Sequence, residues 1–213
     1  MNLRVLPLLV ACLAPPRLAA QVPRYLGVDL SLSRPRFQST SPAGGERLSG
    51  FAVGERLRIV LRPVSLDIAY SQGRLTADTG NAAARDIVEG SLFVTYRPIP
   101  WLALKTGPHL RAYAAPGGTE RWALWEGRAH VDAPIEGGEW VAYGEGWLAL
   151  ASSVNVSPGS AGARGAEAGL TLTLPQSPLW ARLAYVVDQA RLKNNARTES
   201  VQSVILAIGF GGR

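Results

Sequence analysis

Two imidazoles, 16 carboxylates, one thiol and 22 basic side chains are the groups in this chain of 213 residues with chemistry to offer. The imidazoles are His109 and His130. A hairpin centred near Gly117 sets His109 against Glu126 and His130 against Lys105. The rings then lie about five residue rises apart, roughly 17 Å at ~3.3 Å per residue, which excludes a shared metal and a shared acid–base relay. An imidazole oriented by a carboxylate is half of a hydrolase triad, but no serine nucleophile is evident within reach of His109. A histidine beside a glutamate in polar surroundings is more often an ion-linked neighbour. The chain has no G-x-x-x-x-G-K-S/T, H-E-x-x-H, C-x-x-C or EF-hand loop. Gly44-Gly45, Gly117-Gly118 and Gly137-Gly138 are turn residues without a following helix to hold a phosphate. Asn155-Val156-Ser157 matches a glycosylation sequon of a kind that recurs by chance. The expectation is a protein that is not an enzyme and has no cofactor and no metal.

The elements that position the charges are strands. Apolar/polar alternation with period 2 is nearly continuous, and helical periodicity is almost absent. In 86–97, Val88, Gly90, Leu92, Val94 and Tyr96 share one face, while Ile87, Glu89, Ser91, Phe93, Thr95 and Arg97 share the other. Pro-bearing breaks at 62–65, 97–100, 133–138 and 174–178 alternate with polar loops near 35–48, 73–85, 114–119, 153–163 and 193–199. About ten strands follow, at roughly 25–34, 49–62, 65–73, 86–97, 101–113, 120–132, 139–152, 164–174, 179–192 and 200–211. Strand parity gathers Arg56, Arg58, Arg62, Arg97, Lys105, Arg111, Arg128 and Arg182 on the polar face. It places Asp29, Asp67, Glu89, Glu126, Asp132, Glu145, Glu167 and Asp188, with His109 and His130, on the same face.

Residues 1–20 read as a secretory signal peptide: Arg4 leads an apolar run from Val5 to Leu13, and Ala19-Ala20 precede the cut. A second reading takes Leu9-Val10-Ala11-Cys12 as a lipobox, with Cys12 lipidated. Removing residues 1–20 takes the one cysteine and leaves a formal charge of +4. A cysteine-free exported chain suits a disulfide-forming compartment. The basic residues form no run and alternate with apolar ones, which argues against nucleic acid. Residues 21–213 are expected to form one domain.

With an even strand number, strands of bilayer-spanning length, short turns on one side and longer loops on the other, the chain resembles the bacterial outer-membrane β-barrel class. The resemblance is architectural and covers residues 22–213. It implies an all-β, antiparallel, up-and-down transmembrane barrel of about ten strands (8–12). It implies export through the periplasm to the outer membrane, contact with outer-membrane lipid, and recognition of the last strand by the barrel-assembly machinery through Phe210. Tyr25, Tyr96, Trp101, Trp140, Trp180 and Phe210 then form an interfacial aromatic girdle; by parity Trp101 and Trp180 fall on the charged face.

The charged face then lines the lumen. Its near balance of charge favours a structural ion-pair network, because unpaired charges in a narrow barrel cost several kcal/mol each. The expected role is structural, or permeability to small solutes. Alternation alone also permits the inverted arrangement, a secreted or lipid-anchored soluble β-barrel binding an apolar ligand. An outer-membrane lipid-modifying enzyme is the third class, and no motif for it is present.

Overall fold

The computed structural model describes residues 26–61, 63–78, 82–135 and 137–211. The signal-peptide and Cys12 expectations, Tyr25 and Arg62 lie outside these. Alternation drives ten strands: β1 Leu26–Ser41, β2 Gly44–Leu61, β3 Val64–Ala77, β4 Arg85–Ile99, β5 Leu102–Ala115, β6 Gly118–Pro134, β7 Trp140–Val154, β8 Ser160–Thr173, β9 Leu179–Leu192 and β10 Thr198–Gly211. Each pairs antiparallel with its chain neighbours, and β1 pairs β10 from Gly27↔Gly211 to Thr40↔Thr198, closing the barrel. Closure leaves no open edge, so the backbone satisfies its own hydrogen bonds within lipid.

The side chains turn outward in an apolar belt that runs around all ten strands. On β1 it comprises Leu26, Val28, Leu30 and Leu32; on β10 it comprises Val204, Leu206, Ile208 and Phe210. Ile208 is 62% exposed and Leu150 on β7 63%, surface that only lipid covers favourably. Among the described residues Glu55, between Val53 and Leu57 on β2, is the one charged side chain within the belt. This outward belt overturns the soluble-barrel arrangement as a description of the whole molecule.

Above the belt the alternation changes phase. On β1, Arg34, Arg36 and Gln38 face outward while Phe37 is buried inside. On β9, Arg191 is exposed and Leu192 buried. On β3, Arg74 is exposed and Leu75 fully buried. The barrel therefore has two storeys: a membrane storey, apolar outside and polar inside, and beyond it an upper storey, polar outside and apolar inside. This corrects the expected loop at 35–48, which is the extended β1–β2 hairpin turning at 42–43. The same extension shortens the other loop-side connections, the longest being 78–84. Those at the opposite end, 62–63, 100–101, 135–139 and 174–178, are comparable in length. The two ends thus differ in how far strands project beyond the belt, and hardly in connection length.

The wall is thinned where aromatic rings lie against it. A Cβ at Gly165, which pairs Trp147, would come within 2.3 Å of the Trp147 indole, and one at Gly209 within 2.1 Å of Trp180. Glycine on the neighbouring strand gives each ring its seat. Trp180 consequently faces the lumen, which corrects its place in the girdle: it shares parity with Arg182 and Asp188.

Candidate functional site

Inside the membrane storey the polar side chains line a cup of about 1080 Å³ that reaches the turn end at Pro63, Pro98, Pro100 and Pro134. Its wall is a connected ion-pair network. Arg58 Nε donates to Asp67 Oδ1 at 2.5 Å, and Thr95 Oγ1 donates to Asp67 Oδ2 at 2.9 Å. Glu145, 8% exposed, accepts from Lys105 Nζ at 2.5 Å, Arg128 Nη1 at 3.0 Å and His130 Nδ1 at 3.1 Å. Asp132 joins the chain through His130 Nε2 at 3.0 Å and Arg97 Nη1 at 2.8 Å. Arg128 Nη2 also reaches Glu126 Oε2 at 2.6 Å, and its guanidinium lies 4.4 Å from the Phe93 ring centroid and 4.7 Å from that of Trp147. Two aromatic faces and two carboxylates hold this cation.

Arg111 on β5 bridges the lumen, donating to Glu89 Oε1 on β4 at 2.5 Å and to Asp188 Oδ2 on β9 at 2.9 Å. Looser pairs complete the wall: Arg182 Nη1–Glu167 Oε1 at 3.6 Å and Arg56 Nε–Asp29 Oδ2 at 4.0 Å. The Tyr143 hydroxyl donates to Glu167. The described charges that parity assigned to one face are brought together here.

The histidine register differs from expectation by two residues. His109 pairs Leu124, and His130 pairs Ala103. His109 nonetheless reaches Glu126 diagonally, with Nδ1 to Oε1 at 2.8 Å, whereas His130 bonds Glu145 and Asp132 and is not set against Lys105. Ser91 on β4 stands opposite His109 in register, a serine that sequence reasoning did not bring near. The imidazole Nε2 faces Glu89 Oε1 at 3.8 Å, so an acid occupies the direction a nucleophile would need. Among the described residues no group of three His, Cys, Asp or Glu is placed to hold a metal ion.

Above the cup the lumen is filled by an apolar septum. Phe37, Leu48, Leu75, Ile87, Tyr113, Trp122, Leu124 and Leu192 are buried in one cluster, with Val201 and Ala190. Phe37 and Tyr113, from β1 and β5, meet edge to face with ring centroids 5.1 Å apart. Charges lid the cluster: Arg85 lies 5.4 Å over the Phe37 ring and pairs Glu46 at 2.5 Å, while Arg197 binds Glu120 and Glu199. This layer was missed because its residues fall at loop ends of the expected strands, where the phase of alternation is reversed.

The girdle residues Tyr96, Trp101 and Trp140 are exposed at the turn end, and Phe210 faces outward there. Four further outward aromatics, Phe51, Tyr70, Trp125 and Tyr185, form a level nearer the loops. The Tyr70 and Tyr185 hydroxyls reach the polar zone through Gln72 at 3.2 Å and Gln202 at 2.9 Å.

No family model matches the sequence, and no curated protein matches it. Among solved structures, the translocator domain of autotransporter NalP from Neisseria meningitidis is similar at TM-score 0.53 and 10% identity, over 92% of this chain and 91% of that one. Neisserial surface protein A aligns at TM-score 0.40 and 13% identity, over 86% of this chain and 96% of that one. The attachment invasion locus protein of Yersinia pestis aligns at TM-score 0.36 and 11% identity, over 86% and 98%. At 10% identity the likeness to the NalP translocator domain is one of fold alone. Ring closure, an outward apolar belt and that likeness together make this chain an antiparallel transmembrane β-barrel with the fold of bacterial outer-membrane proteins.

Proposed function

We propose that the protein is a structural outer-membrane barrel with a closed lumen: a polar cup that small solutes enter from the periplasmic, turn side and cannot leave on the other. It catalyses no covalent reaction. The observation that carries this reading is the septum, to which Phe37, Leu48, Leu75, Tyr113, Trp122 and Leu192 contribute from around the ring. Charged pairs below the septum serve as a rigid filling, and water-filled passage would require those rings to part. Export through the periplasm, and assembly through recognition of the strand ending at Phe210, belong to the same reading. In this reading the turn side, where the strands project least beyond the belt, faces the periplasm, as the shorter end does in barrels of this kind.

Planar-bilayer recording tests it. The wild-type protein is expected to insert without stepwise conductance, and the L48A/L75A/W122A variant to conduct. Persistent open-channel conductance in the wild type would overturn the closed-lumen reading in favour of a solute conduit.

A further inference from the structure

The outer surface just above the belt is predominantly basic, with Asp78 the one exposed acid there among the described residues. Arg34, Arg36, Arg47, Arg74, Arg121, Arg164 and Arg191 are all exposed there, whereas among the described residues the turn-end exterior has Glu139 as its exposed charged side chain. Four of the seven cluster on three adjacent strands. Arg34 and Arg36 are neighbours on the outward row of β1, Arg47 on β2 is diagonal to Arg36, and Arg74 on β3 pairs Phe51 of β2. Phe51 is 62% exposed, and the Arg34 guanidinium lies 5.8 Å from its ring centroid. Among the described residues the side chains of Arg36, Arg47 and Arg74 make no hydrogen bond or ion pair. The nearest acids by register are Asp86, opposite Arg74, Asp78, which accepts from Ser49, and Glu55, two outward positions below Phe51.

Free guanidiniums immediately above lipid, grouped round an apolar ring that dips into it, match an amphiphile with phosphate at its head and hydrocarbon below. The cluster is made of arginine in a chain with only two lysines, and arginine's planar fork takes phosphate oxygens in pairs. A merely solvated face needs neither the fork nor the aromatic ring at its centre.

We infer that the Arg34, Arg36, Arg47 and Arg74 cluster on β1–β3 binds the phosphorylated headgroup of an outer-leaflet lipid, with Phe51 against its acyl chains. The inference shares with the proposed function the assignment of the loop side to the cell exterior, and is independent of whether the lumen is closed. The test is native mass spectrometry of the detergent-folded protein titrated with diphosphoryl lipid A, with its dephosphorylated form, and with inorganic pyrophosphate. The wild type is expected to retain the diphosphoryl form selectively. The R34Q/R36Q/R47Q/R74Q variant is expected to bind it roughly 100-fold more weakly, at about one kcal/mol per surface arginine partly offset by screening. The pairs R34Q/R36Q and R47Q/R74Q, made separately, give intermediate losses and carry the test if the quadruple variant does not fold. Equal binding of the dephosphorylated form, unchanged binding by the variants, or pyrophosphate held as tightly as the lipid would overturn the inference. Bilayer conductance of the same variants reads the closed lumen separately.

Discussion

Glu145 illustrates what a lumen charge costs and returns. Three cationic or imidazole groups from two neighbouring strands, β5 and β6, converge on it, and almost none of it meets solvent. Replacing it by alanine leaves Lys105 and Arg128 short of a partner in a confined space. The E145A variant is expected to lose about 3–5 kcal/mol in urea unfolding from lipid vesicles, the range for breaking a buried pair from one side. The E145L/K105M double variant should recover part of that loss, because it removes both members of the closest pair. A smaller effect belongs to Gly209, where an added methyl group meets the Trp180 ring. G209A is expected to cost about 1–3 kcal/mol as overpacking, and G209A/W180A to cost less than the sum of its parts.

At the scale of the element, the extended β1–β2 hairpin decides how far the wall rises. Its upper half is held by Arg36↔Ser49, Phe37↔Leu48 and Gln38↔Arg47, with Phe37 and Leu48 in the septum. Arg36 and Arg47 are therefore expected to resist trypsin in the reconstituted protein, although both are exposed. F37A should make them cleavable by loosening the layer beneath. Cleavage of the wild type at either arginine, followed on gels, would show a loop where the ladder now stands.

The same hairpin explains what was legible in the sequence. In the membrane storey, a residue such as Glu89 between Val88 and Gly90 declares its face, because lipid demands apolar neighbours outside and paired charges collect within. The lumen network followed from that rule. Around Phe37 the rule runs backwards: a lone aromatic among Arg34, Arg36 and Gln38, beside Pro35, has the composition of a loop. The period of 2 persists there, and the inverted phase was its signal. The register of the histidine hairpin was off by two because Ala115↔Gly118, not Gly117, fixes its centre. Trp180 was misplaced because proximity to a turn was weighed above parity.

On the scale of the whole molecule, the two storeys predict which indoles meet lipid. Trp125 and Trp140 are 50% and 44% exposed on the outer wall, whereas Trp122 and Trp147 are buried inside. In single-tryptophan variants, brominated lipid is expected to quench the first two and leave the second two bright. Quenching of Trp122 to the same degree would mean that the barrel is turned inside out. Electrophoresis gives a simpler check: a closed ring of ten strands should resist SDS until boiled and then migrate differently.

Ring closure also sets an order of events. The final partner of β1 is β10, so the first strand to leave the ribosome cannot complete its pairing until the last has been made. Contacts this distant in sequence are slow to find one another, and until they meet both strands offer unpaired edges to any other chain. Because the two ends of the ring meet at one rim, where Gly27 pairs Gly211, the point of opening is a matter of chain order and not of architecture. A circular permutant opened at 42–43 would exchange the closing pair for β1 with β2, and with it the moment in synthesis at which the wall becomes whole.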